Sequence, residues 1–149
     1  MPGCQTARVD DERLVIAVYG TLRSGQRNHG LLEDSVFLGT GLISGALHDV
    51  PRTPYRSYAY PAHVEEPRGP VLVELYRLPG EAALERIDRL ERYDPADEAG
   101  SQYVRRVVAV TDGPVERAGV YFYRGAPGHL GERIADGDWV AYVEEALRR

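Results

Sequence analysis

The chain has 149 residues, 43% hydrophobic and 28% charged, with a formal net charge of −5. That length suits one domain with a real core, and the acidic balance argues against a nucleic-acid partner, because neutralising phosphates requires basic residues. All 18 Lys/Arg positions are arginine, which excludes a Schiff-base lysine, and no apolar run approaches the roughly 20 residues needed to span a bilayer, so no membrane partner is expected.

Residues 1–12 read as a loose N-terminal tail, followed by a single domain over residues 13–149. The tail has no apolar h-region and ends in Asp10, Asp11 and Glu12, which argues against a secretion signal. Its Cys4 is the one cysteine and cannot form an internal disulfide, which points to a reducing, cytoplasmic setting. Leu14 to Val18 is an unbroken apolar run, the pattern of a strand buried on both faces. Tyr19 ends the run, residues 20–27 form a tight loop, and Asn28, His29, Leu31 and Leu32 begin a short helix. A strand feeding such a loop points several backbone N–H groups into one small space, which favours an anion. An ordinary strand-to-helix turn is the other reading. Gly20 and Gly25 match the front of a P-loop, but Gln26 and Arg27 stand where Lys and Ser or Thr are required, so nucleotide hydrolysis is not expected.

Residues 35–39 and 42–47 read as short strands bent by glycines. Residues 48–70 form a long irregular stretch rich in proline and tyrosine. Loops of that length in compact domains are usually functional, so this one is expected to fold over a site. Residues 71–78, VLVELYRL, make a strand that Pro79 and Gly80 end. Residues 81–92 then form a helix with apolar positions Ala83, Leu84, Ile87 and Leu90. At about 100° per residue, Glu91 falls about 20° from Leu84 and about 40° from Ile87, inside the apolar face, with Asp88 at its rim. Desolvation and the helix C-terminus would both raise the pKa of a carboxylate there, suiting a general acid and base. Alternatively, Glu91 turns outward at the helix end or pairs with an arginine.

Residues 103–111 and 119–124 read as a hairpin in which Tyr121 and Tyr123 share one face and pack on the sheet. Residues 138–149 make an amphipathic helix with an acidic start and a basic end. His29, His48, His63 and His129 show no ligand spacing, so no metal site is expected. His63, close to Glu65 and Glu66, reads as part of a solvated loop. No Gly-x-Ser-x-Gly elbow supports a serine hydrolase.

VYGTLRSGQRNH after the first strand, VELYRL later, and IDRLE followed by QYVRR resemble the gamma-glutamylcyclotransferase family, in its AIG2-like and gamma-glutamylamine branch. The likeness runs from Leu14 to about Tyr123. It implies an α+β fold, a small mixed β-barrel flanked by helices, with no metal and no cofactor. It further implies that the N–H groups of Gly20, Thr21 and Leu22 hold a substrate α-carboxylate, with Tyr19 lining the pocket and Tyr103 contacting the substrate. Glu91 is the implied catalytic carboxylate. The reaction implied is intramolecular cyclotransfer on a small γ-glutamyl amide, releasing 5-oxoproline and a free amine. Two positions depart from the family pattern. Arg92 stands where glycine is common, bearing on the pocket and the leaving group, and Val73 replaces another common glycine. The leaving amine, the pathway and the oligomeric state stay open. A reading from another class is a non-catalytic module of the same fold that binds a small carboxylate. Glu91 separates the two, since a binder has no need of a carboxylate on an apolar helix face.

Overall fold

The computed structural model describes residues 14–26, 28–50, 60–64, 70–124, 133–134 and 137–148. The expected tail with Cys4 therefore lies outside the described residues. β1, Val15–Val18, is the central strand and all four of its residues are buried. It pairs antiparallel with β5, Pro70–Arg77, and parallel with β7, Arg117–Tyr123. β2, Val36–Ser44, pairs with β5, and β6, Tyr103–Ala109, pairs with β7, giving the order β2-β5-β1-β7-β6. The two bent strands expected at residues 35–47 resolve into one β2 with a register shift between Phe37 and Gly39, followed by β3, Ala46–Val50. β3 pairs with β4, Tyr60–Val64, and with β8, Arg133–Ile134, in a second sheet. Part of the stretch expected to be irregular, residues 48–70, is thus strand, and the rest of it lies outside the described residues.

The barrel expectation is not met. β2 and β6 end the five-stranded sheet, and among the described residues no ladder pairs them; an isolated bridge joins Leu42 of β2 to Thr111, beyond the end of β6. Side chains alternate between two apolar layers. Ile16 and Val18 of β1, Tyr76 of β5 and Tyr121 and Tyr123 of β7 belong to one apolar cluster, together with Leu84 and Ile87 of α1, Glu81–Leu90. Val15 and Ala17, Val71, Val73 and Leu75, and Ala118 and Val120 belong to a second, with Leu47, Ile134 and Trp139. The sheet is thus covered by apolar side chains on both faces. Val73, fully buried, simply fills the second layer.

α2, Trp139–Arg148, closes that second layer. Asp138 caps it, accepting the Ala141 N–H at 3.2 Å. The chain turns into it through Gly137, whose φ of +67° and contact with the Pro70 carbonyl leave no room for a Cβ.

His63 departs from its expected place in a solvated loop. It is fully buried on β4, with its ring 4.5 Å from that of Phe122 and 5.3 Å from that of Tyr19. Burial pulls its pKa down from 6.5 to about 4, partly opposed by its bond to the Ser44 carbonyl. The folded ring stays neutral where the unfolded one is protonated. Stability is therefore lost as pH falls from 6.5 towards 4, by about 3 kcal/mol over the whole window. Denaturant midpoints at pH 7 and pH 4 should differ accordingly, and His63→Gln should flatten the difference. An equal acid loss in that variant would assign the sensitivity to other groups.

The end of α1 explains one departure from the family pattern. Tyr93 N–H donates to the Asp88 carbonyl at 2.8 Å and Arg92 N–H to that of Arg89 at 3.1 Å, the paired bonds of a Schellman ending. The residue between the helix and Tyr93 must be left-handed, and Arg92 has φ +54°. Glycine occupies such a site without penalty, whereas a residue with a Cβ loses about 1 kcal/mol. Arg92 is exposed, so Arg92→Gly should stabilise the fold by about that amount, read as a rise in denaturant midpoint. A loss of stability would mean that the arginine side chain offsets its strain.

Candidate active site

The loop after β1 is tightly organised. Arg23 N–H donates to the Gly20 carbonyl at 3.0 Å, Gln26 N–H to that of Arg23 at 2.9 Å and Asn28 N–H to that of Thr21 at 2.7 Å. Asn28 Nδ2 also donates to Thr21 Oγ1 at 2.9 Å. Among the described residues, none of these turn bonds uses the N–H of Gly20, Thr21 or Leu22. Tyr19 is buried, and its hydroxyl donates to the Tyr121 carbonyl at 2.8 Å. Leu22 is buried in the helix-side cluster, beside Ile87, Tyr103 and Tyr121.

Beneath the loop lies a buried carboxylate. Glu74 of β5 accepts from Arg23 Nε at 3.1 Å, from Ser24 N–H at 2.8 Å and from the Tyr76 hydroxyl at 2.8 Å. Arg23 Nη1 reaches on to Asp138 at 2.7 Å. Burial, with the bond to Glu74, pushes the Tyr76 phenol well above its ordinary value. The strand β5 presents Val71, Val73 and Leu75 to one layer, so Glu74 faces the other.

The second group gathers at the end of α1. Glu91 is the residue on which the helix closes, its N–H donating to the Ile87 carbonyl at 3.0 Å, and it is half-buried. Asp88, one turn earlier, is not at a rim but buried. It accepts Arg105 Nε at 3.0 Å and Nη2 at 3.2 Å, together with the Tyr121 hydroxyl. Burial is the largest cause that raises the Tyr121 phenol far above its usual value, joined by the bond to Asp88 and the charges of Asp88 and Glu91. The phenol therefore stays a donor across the working pH range. Further out, Arg106 pairs with Glu98 at 2.7 Å, and this bond together with one from Tyr93 holds the Glu98 carboxyl down at about 2.

Tyr103, buried and 5.4 Å from the Tyr123 ring, stands in the same cluster as Leu22. The loop through Leu22, the β6–β7 hairpin through Tyr103 and the end of α1 through Ile87 thus border one apolar layer. Tyr19 is set apart, since its ring belongs to the opposite layer. The sequence assigns no role to Glu74, Arg23 or Arg105, and puts Asp88 at the rim of the helix face and Tyr121 in sheet packing. Among the described residues no group of three or more His, Cys, Asp or Glu is arranged to hold a metal ion, and no helix is long and apolar enough to cross a membrane.

Residues 16–141 match the family model described as gamma-glutamyl cyclotransferase, AIG2-like. Among solved structures, protein PH0828 from Pyrococcus horikoshii is similar at 29% identity and a TM-score of 0.66, over 91% of this chain and 98% of that one. Protein ytfP from Escherichia coli is 27% identical with a TM-score of 0.59, over 87% and 98% of the two chains. An aig2-like protein from Mus musculus is 26% identical with a TM-score of 0.59, over 78% and 81%. Among curated proteins, none matches.

Proposed function

We propose, since this chain belongs to the AIG2-like gamma-glutamyl cyclotransferase family, that it cyclises a γ-glutamyl amide with Glu91 as general base and acid. The α-ammonium of the substrate is unreactive until Glu91 takes a proton from it. The freed amine attacks its own γ-carbonyl, a C–N bond forms in a five-membered ring, and the amide C–N bond breaks. Glu91 gives that proton to the departing nitrogen, then takes the second proton from the ring nitrogen and passes it to the freed amine, so that 5-oxoproline and the protonated amine leave. Because the attack is intramolecular, fixing the conformer contributes up to about 7–11 kcal/mol, and proton transfer adds about 10²–10⁴-fold.

The observation that carries this reading is Glu91 itself, a half-buried carboxylate at the end of α1, one turn after the buried Asp88. Ile87 and Leu90 of the same helix end belong to or pack against the cluster that holds Leu22 and Tyr103. The N–H groups of Gly20, Thr21 and Leu22, unused by the turn bonds among the described residues, suit the α-carboxylate through charge-assisted hydrogen bonds. Mass spectrometry of a panel of γ-glutamyl amines, γ-glutamyl dipeptides and glutathione is the test. Release of 5-oxoproline from at least one of them is expected. Its absence throughout would overturn the enzymatic reading in favour of a carboxylate-binding module.

A further inference from the structure

We infer that Glu74 is a positioning residue, holding the loop after β1 in the geometry that reads the substrate's α-carboxylate, with Arg23 as its lever. The inference rests on the loop assignment proposed above and goes beyond it, because Glu74 lies under the loop and, among the described residues, bonds Arg23, Ser24 and Tyr76 and not Gly20, Thr21 or Leu22. Its carboxylate is buried, on the middle of a central strand where an apolar residue would serve packing better. What the carboxylate does there is specific. One oxygen takes the backbone N–H of Ser24 and the hydroxyl of Tyr76, and the other takes Arg23 Nε.

Two of those three donors belong to the loop, one from its backbone and one from a side chain that is itself buried. Arg23 N–H also closes the turn on the Gly20 carbonyl. The backbone between Gly20 and Ser24 is therefore fixed at both ends: at Gly20 by its turn bond and at Ser24 by Glu74. Arg23 extends the anchorage to Asp138, which caps α2, so the loop is braced against β5 and α2 together. A rigid brace matters most for main-chain donors, because an N–H cannot be reaimed without moving the backbone. A loop that merely needed to be folded would not require a buried charge beneath it.

Glu74→Gln keeps the side-chain shape but loses one acceptor, so it cannot serve Arg23, Ser24 and Tyr76 at once. Two substrate series separate positioning from bulk stability: γ-glutamyl amides and the matching 4-aminobutanoyl amides, which keep the nucleophilic amine and ring closure but lack the α-carboxylate. Rates are taken under single-turnover conditions with enzyme in excess, so that slow substrates are still measured. The wild-type chain should favour the γ-glutamyl series by at least about tenfold, the value of a buried donor group kept paired. In Glu74→Gln the γ-glutamyl rate should fall by at least about tenfold while the 4-aminobutanoyl rate stays within about twofold. Equal losses in both series, or no loss in either, would overturn the positioning role. A wild-type chain indifferent to the carboxylate would instead overturn the loop assignment, and the inference with it. If Glu74→Gln does not fold, Arg23→Gln, which leaves Glu74 bonded to Ser24 and Tyr76, is read in the same way and should show the same selective loss.

Discussion

Glu91→Gln is expected to lower kcat by at least about 10²-fold with KM nearly unchanged. Glutamine preserves the length and planarity of the side chain but accepts no proton at neutral pH, so only the acid–base step is removed. The fold should survive the change, because the helix closes there through the Glu91 backbone N–H to the Ile87 carbonyl and glutamine keeps the shape of the side chain. Residual turnover is also expected. The substrate still carries its own nucleophile, and the orientation supplied by the loop is untouched. A second readout follows from the same argument: the acid-side fall in kcat that a general base produces should be present in the wild type and absent from the variant. Near-normal turnover would remove Glu91 from the reaction and leave the loop as a binding feature alone.

How far the sequence foretold this arrangement depended on whether a residue's neighbours lie along the chain or across the fold. The buried β1, the hairpin of β6 and β7 and the terminal helix were readable from local pattern, since alternation, turn residues and helical spacing act over a few positions. The open sheet was not, because closure turns on whether the edge strands β2 and β6 pair with each other, which no local pattern in either strand records. The burial of His63 was hidden for a similar reason: Glu65 and Glu66 follow it closely in sequence, whereas its spatial neighbours are Tyr19 and Phe122. Asp88 was nearer to being found. It lies about 40° from Leu84 on the helical wheel, the same offset that places Glu91 by Ile87. What hid it was Arg105, which neutralises it from 17 residues away. Glu74 carried a comparable signal, a charge in the middle of VLVELYRL, with partners on a loop 50 and 51 residues distant.

Asp88→Asn is expected to destabilise the protein by about 3 kcal/mol, the lower end for breaking a buried ion pair. The carboxylate carries a two-bond fork to Arg105, at 3.0 and 3.2 Å, and takes the Tyr121 hydroxyl as well. An amide of the same shape can still accept from the phenol, but it brings an NH2 group against a guanidinium that only donates. Arg105 then remains a half-buried cation without its counter-charge; its side chain is 20% exposed, and that exposure keeps the loss at the lower end. For a domain of this size the change corresponds to a fall in Tm of about 10 °C. The double variant Asp88→Asn with Arg105→Met separates charge from packing. Methionine fills much of the arginine stem and leaves no cation to neutralise, so most of the lost stability should return. Additive losses in the double variant would show that Asp88 acts through Tyr121 and not through Arg105.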